Sequence, residues 1–219
     1  MITVEQVTTK RQQKEFIEFP LKLYKDNKCY IPPLYSDEKK LFRKDYVYND
    51  TCEHVYFNAY KDGKIAGRIS GIIQRAANQK YNQRRCRFTR FDVIEDFEVA
   101  EKLFETVEKW ARERGMDEVQ GPLAFSDLER EGMLVGGYEY PATFEETYNY
   151  PYYNDFVERL GSRKEVDWTG SRIRLPKDYD GELEKMADYV MRRYNLHLAT
   201  ARTTKEYLAK YADGFFELL

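Results

Sequence analysis

Between His54 and Gly115 the spacing of apolar residues changes once, and that change limits the folds open to the chain. Over His54–Tyr60 and Ile65–Gln74 apolar and polar residues alternate, the period of a strand whose two faces meet different surroundings. Asp62-Gly63 separates the two runs, and a turn of this composition joins antiparallel strands. Arg87–Ile94 predicts a third strand, after a polar connection over 78–85. The period then becomes helical: Val99, Leu103, Val107 and Trp110 fall on one stripe, with Asp96 as cap and Gly115 at the C-terminal end. Glu118–Leu123 predicts a short strand closed by Gly121-Pro122.

The flanks read less sharply. Ile2, Val4 and Val7 alternate with polar residues in a first strand over Met1–Thr8. Thr8 or Thr9 caps a helix carrying Phe16, Phe19 and Leu23, which Pro20 interrupts or restarts. Ile31-Pro32-Pro33 is a rigid break, and Ser36-Asp37-Glu38 predicts the start of a second short helix ending near Asp45. Phe125–Thr147, rich in glycine and acids, predicts a long, partly helical loop. A short helix over Tyr153–Leu160 stops at Gly161, and Val166–Leu175 predicts a strand. Leu183, Met186, Val190 and Tyr194 mark another helix, Leu196–Thr200 a strand, and Lys205 onward a last helix. That helix ends on Phe215, Phe216, Leu218 and Leu219, apolar and uncapped; the expectation is a sequence cut from a longer chain, or a helix that packs on a partner.

The bulk numbers exclude more than they select. A formal charge of -2 over 219 residues gives no global reason to bind nucleic acid or an anionic membrane. The three cysteines, Cys29, Cys52 and Cys86, are odd in number and far apart, which argues for a reducing, cytoplasmic setting rather than a disulfide framework. With His54 and His197 as the only imidazoles, no metal site is expected. No apolar run approaches the ~18 residues of a membrane span.

Several local patterns together resemble the GNAT (acyl-CoA N-acyltransferase) superfamily: Phe19-Pro20 with Leu23-Tyr24-Lys25-Asp26, Gly67-Arg68-Ile69, Phe91-Asp92 with Asp96, and Trp110 with Gly115. Gly121-Pro122, the run from Gly132 to Tyr138 and Asn149-Tyr150-Pro151-Tyr152-Tyr153 complete them. More closely, the chain resembles the first half of a double-length bacterial GNAT-like group of unassigned substrate. The resemblance implies an α+β fold: a mixed, mostly antiparallel central sheet flanked by helices over residues 1–175. A helical and strand extension, 176–219, would begin a second segment. It implies acyl transfer from acyl-CoA to an amine, with acyl-CoA bound by the intact protein and this segment shaping the acceptor site beside a missing C-terminal half or a second copy.

The residues depart from that pattern where the cofactor would sit. GNAT enzymes bind the pyrophosphate of CoA on a glycine-containing, basic loop at a helix N-terminus. The matching stretch, Phe91–Ala100, has no glycine and no basic residue and carries Asp92, Glu95, Asp96 and Glu98. Acids there satisfy the helix dipole themselves, and each repels a phosphate by roughly 1 kcal/mol at ~4 Å even in water. The tyrosine expected to protonate the CoA thiolate is replaced by Phe156 or Val157, leaving Tyr152 and Tyr153 as substitutes.

Asp127 is a candidate base; Ser126, Glu131 and Asn149 are candidate substrate contacts, and no imidazole stands near enough in sequence to activate Ser126. Arg87 and Arg90 are candidate phosphate contacts within the basic run Arg75, Lys80, Arg84, Arg85, Arg87, Arg90, which interleaves Tyr81 and Phe88. That run also admits a solvated hairpin paired with nearby acids, or a nucleic-acid-binding module. A non-catalytic GNAT-like module binding a small molecule or partner chain is the remaining alternative.

Overall fold

The hairpin at Asp62-Gly63 lies at the heart of the sheet. In the computed structural model, which describes residues 1–174 and 180–218, strand β2 (Cys52–Lys61) pairs antiparallel with β3 (Lys64–Gln74). Strand β1 (Ile2–Gln6) adds antiparallel to β2, and β4 (Arg85–Val93) adds antiparallel to β3. The short β5 (Glu118–Gln120) runs parallel to β4, so the order β1-β2-β3-β4-β5 makes the mixed, mostly antiparallel sheet that the sequence implies.

Alternation gives this sheet two unlike faces. One is apolar: Val55, Phe57, Ala59, Ile69, Phe88, Phe91 and Val93 are buried under helix α4 (Phe97–Arg112). The stripe of α4 read from the sequence, Val99, Leu103, Val107 and Trp110, is buried in full. Small residues on β3 set how close α4 comes. A Cβ on Gly67 would lie 2.8 Å from Leu103 Cδ1, and one on Gly71 3.2 Å from the Trp110 ring. The opposite face carries His54, Tyr56, Asn58, Arg68, Ser70, Thr89 and Asp92, under helix α1 (Lys10–Leu23) and the short α2 (Tyr35–Lys40).

Helix α1 runs unbroken through Pro20 instead of stopping there. A proline inside a helix leaves the carbonyl four residues earlier without its donor. That carbonyl, Phe16 O, accepts a 2.8 Å hydrogen bond from Arg68 Nη1, so the sheet supplies what the helix lacks. Helix α2 starts at Tyr35 and ends at Lys40, short of the predicted Asp45; beyond it the backbone closes tighter turns, with Phe42 N–H on Lys39 O and Arg43 N–H on Lys40 O. Helix α3 (Arg75–Lys80) is a single short turn region between β3 and β4. Residues 125–147 hold turns but no helix; Asn149 and Thr147 pin their backbone. Helix α5 (Tyr152–Arg159) follows.

The contacts divide the chain into two compact units, Met1–Lys164 and Glu165–Leu219. The second unit holds α6 (Glu182–Arg193) and α7 (Thr204–Leu218). The strands expected over Val166–Leu175 and Leu196–Thr200 do not form among the described residues, of which Leu175 is not one; residues 165–174 are exposed. On α7, Phe215, Phe216 and Leu218 are exposed, and Leu219 lies outside the described residues. Among the described residues no helix is long and apolar enough to cross a membrane, and all three cysteines are free.

Candidate functional site on the polar face of the sheet

Strand β4 contains a bulge that decides what the polar face presents. Arg68 pairs with Asp92 and Ser70 with Thr89, so Arg90 and Phe91 together oppose Ile69. Arg90 takes the left-handed conformation, φ 50°, which a side chain other than glycine adopts at a cost. The extra residue leaves Phe91 in the apolar core and turns the Arg90 guanidinium to the other side.

There it meets Glu38, reaching both carboxylate oxygens at 3.1–3.2 Å. Glu38 also lies 3.6 Å from Arg68, whose Nε donates to Asp92 at 2.8 Å. Arg68, Glu38 and Asp92 are all buried. Burial alone would raise the Glu38 carboxyl, but Arg90 and then Arg68 outweigh it and hold it below its ordinary 4.5. Rings of Phe16, Phe42, Tyr56 and Phe125 wall this cluster, with the Arg68 guanidinium over Phe16 at 4.8 Å. Arg130, from the long loop, donates to Phe144 O at 2.7 Å and Ile31 O at 3.2 Å. Among the described residues, His54 Nδ1, Tyr56 Oη, Asn58 Oδ1, Arg90 Nη1 and Arg130 Nη2 are buried without a hydrogen-bond partner.

The end of β4 is furnished differently. Val93 N–H donates to Tyr153 Oη at 2.9 Å, and the Val93 carbonyl accepts from Tyr152 Oη at 2.7 Å. The Tyr24 hydroxyl lies 2.9 Å from Tyr153 Oη and 3.3 Å from Asp92 Oδ1. Burial pushes the Tyr153 phenol well up, and Asp92 adds to it; burial, then Tyr150, push Tyr152 up. Asp96 caps α4 by accepting from Glu98 N–H and pairs with Lys61. Beside this start lies a groove of about 570 Å³ lined by Glu95, Tyr152, Asp155, Phe156, Glu158 and Arg159. Three of those six carry carboxylates, and the one guanidinium sits 3.5 Å over the Phe97 ring. Asp92, counted in the sequence among acids facing a pyrophosphate, instead points into the polar face against Arg68.

The remaining candidate residues are scattered. Arg87 donates to Ala124 O at 3.1 Å and lies 3.8 Å from Asp127, which is otherwise open to solvent. Ser126 Oγ accepts from Tyr48 at 3.1 Å. Asn149 is buried and clamps Leu134, accepting from its N–H at 2.7 Å and donating to its carbonyl at 3.1 Å. Glu131 is half-buried, and its carbonyl lies 3.5 Å from Thr147 Oγ1. The basic run is divided among acids: Arg84 pairs with Asp117, Arg85 with Glu118 and Arg90 with Glu38, while Phe88 is buried. The residues that sequence reasoning missed, Glu38, Arg68, Tyr24 and Arg130, come from four segments. One signal was available: Pro20 leaves Phe16 O in need of a donor, and Arg68 sits among alternating apolar residues.

No family model matches the chain. It is 28% identical over 193 residues to Protein YghO of Escherichia coli (strain K12), covering 85% of this chain and 48% of that protein. It is also 28% identical over 194 residues to the Bacterial ceramide synthase of Caulobacter vibrioides, covering 88% of this chain and 50% of that one. The chain spans about half the length of the curated relatives it matches. GNAT-type acetyltransferases are among the solved structures that match it. Glucosamine-6-phosphate N-acetyltransferase from Arabidopsis thaliana aligns at TM-score 0.46 and 14% identity, over 80% of this chain and 99% of that one. A tandem GNAT protein from the clavulanic acid biosynthesis pathway aligns at TM-score 0.49 and 9% identity, over 74% and 43%.

Proposed function

We propose that this chain is the acceptor-shaping part of a GNAT-type N-acyltransferase, and that acyl-CoA is held chiefly by residues outside it. The observation carrying this reading is the state of β4 at Val93. Its N–H and C=O are taken by Tyr153 and Tyr152, and the next helix start is capped by Asp96. Binding a pyrophosphate needs free amide N–H groups and positive potential. The groove beside α4 offers Glu95, Asp155 and Glu158 instead, so the residues present do not fit the CoA phosphates.

The acceptor side is read on the other face of the sheet, where Glu38 joins Arg68 and Arg90 and where Arg87 meets Asp127 of the loop that also carries Ser126 and Glu131. Asp127 is the proposed base, since it is exposed and only loosely held by Arg87. Tyr152 and Tyr153 serve this part as supports for β4 rather than as proton donors: Tyr152 gives its proton to the Val93 carbonyl, and Tyr153, which accepts from the Val93 N–H, is buried. Asn149 shapes the loop through Leu134. Residues 176–219, which fall within the unit Glu165–Leu219, are read as the start of a second segment.

Calorimetric titration of the 219-residue chain with acetyl-CoA tests this reading. No saturable binding below about 1 mM, roughly -4 kcal/mol, is expected. A dissociation constant in the low micromolar range, about -8 kcal/mol, would place the cofactor on this chain and end the proposal.

A further inference from the structure

Two concave places in the unit Met1–Lys164 carry opposite charge. The groove at the start of α4 offers Glu95, Asp155 and Glu158. The other is a cavity of about 200 Å³ where β3 gives way to α3 and β4 begins, and its lining includes Gln74, Asn78, Tyr81, Gln83, Arg85 and Arg87. Among the described residues no carboxylate lines it. Arg85 and Arg87 alternate along β4 with Cys86 and Phe88, which are buried in the core under α4, so both guanidinium groups leave from the other face of the sheet. The chain fixes the walls itself. Asn78 clamps the Arg85 backbone, donating to its carbonyl at 2.9 Å and accepting from its N–H at 3.3 Å. Gln74 Nε2 donates to Phe125 O at 3.0 Å, and Arg85 gives Nε to Glu118 at 2.9 Å and Nη1 to Gln120 at 2.6 Å. Arg87 is held more loosely. Among the described residues Nη1 is its only side-chain nitrogen with a protein acceptor, Ala124 O at 3.1 Å. Asp127 faces that nitrogen at 3.8 Å with its side chain 86% exposed, a pair that contributes little and that a stronger anion can displace.

We propose that this cavity takes the phosphate of a small phosphate monoester on the guanidinium groups of Arg85 and Arg87, with a ring of the ester lying against Tyr81. Arginine forks match phosphate oxygens, and two of them on one strand face supply more donors than the two oxygens of a carboxylate need. Size points the same way. At ~30 Å³ per water the cavity holds about seven waters, room for a phosphate and a few carbons. It is smaller than the roughly 300 Å³ at which pockets begin to enclose a whole ligand. The organic part therefore extends outward, where the Tyr81 ring is 60% exposed and Lys80 Nζ lies 5.2 Å from its centre. A ring stacked there leaves its phosphate inside, beside two cations and no acid of the lining. The site is at the opposite end of β4 from Val93, so it stands whether or not acyl-CoA binds the chain.

The test adds inorganic phosphate, glycerol phosphate or adenosine monophosphate to the whole chain, each against sodium chloride of equal ionic strength, and follows its amides by nuclear magnetic resonance. Inorganic phosphate should move the Gln83, Arg85 and Arg87 amides saturably below about 10 mM. Glycerol phosphate should bind about as well, and adenosine monophosphate more tightly because its base can stack on Tyr81. Arg87→Gln should weaken inorganic phosphate at least about tenfold. Tyr81→Ala changes an exposed ring and keeps the fold; it should leave inorganic phosphate unchanged while weakening adenosine monophosphate at least about fivefold. No saturable movement of those amides with any of the three overturns the proposal, as do equal responses in the native chain and in Arg87→Gln. Adenosine monophosphate no tighter than glycerol phosphate, or unaffected by Tyr81→Ala, overturns the placement of a ring on Tyr81.

Discussion

The two halves of β4 handle buried polar groups in opposite ways. At Asp92–Val93 each group has a protein partner: Asp92 meets Arg68, and both backbone groups of Val93 meet tyrosines of α5. Three residues earlier, Arg90 turns one edge to Glu38 and keeps Nη1 buried and unpartnered. A site saturated by its own chain is built for stability, because a ligand would have to displace bonds already made. A site with fixed, unmet donors is organised for something else. The difference sets an end of β4 closed by its own chain against a polar face that keeps buried donors unmet.

The largest expected effect tests the saturated half. Arg68→Met removes the partner of Asp92, the donor to Phe16 O and one counter-charge of Glu38. Leaving the buried Asp92 carboxylate without its cation should cost about 3–5 kcal/mol in urea unfolding. A loss under about 1 kcal/mol would mean that this half is not held by its ion pairs.

Tyr153→Phe should cost about 1–3 kcal/mol, since Val93 N–H is left buried without an acceptor.

Acid should act more gradually, through Glu38. Its carboxyl titrates below 4.5 in the folded chain because Arg90 and Arg68 outweigh burial. A depressed folded value means the unfolded chain binds the proton first, so the contribution is present above about pH 4.5 and is lost as pH falls through the folded value. Glu38→Gln should be less stable at pH 7 and show a flatter decline toward pH 3, measured by unfolding at a series of pH values. An unchanged slope would detach Glu38 from the cluster. Asp96→Ala, which removes one cap bond and the Lys61 pair, should cost about 1 kcal/mol.

Much of this layout was open to reading in the chain. Alternation over His54–Tyr60 and the α4 stripe specified sheet and helix because each buries one face. The acids of 92–98 announced a helix start that caps itself, and Asp96 does so. The site was harder to see because it depends on a bulge. Alternation through β4 puts Arg90 opposite its true side, and no local pattern in Arg87–Ile94 marks the extra residue. Glu38 joins it only through tertiary contact, from a short helix whose own sequence carries no period. Pro20 was read as a break because the donor that replaces its missing bond, Arg68, lies 52 residues away from Phe16. The expected strands after Lys164 rested on short apolar runs, which periodicity alone cannot assign.

The most direct test follows the backbone amides of β4 by nuclear magnetic resonance while acetyl-CoA is added. If the end of β4 is closed by α5, Val93 and Glu98 should hold their positions up to about 1 mM ligand, the scale of a -4 kcal/mol site. Saturable movement of those two amides at micromolar acetyl-CoA would show the tyrosines giving way to the cofactor, and would contradict the division of β4 into a closed and an open half.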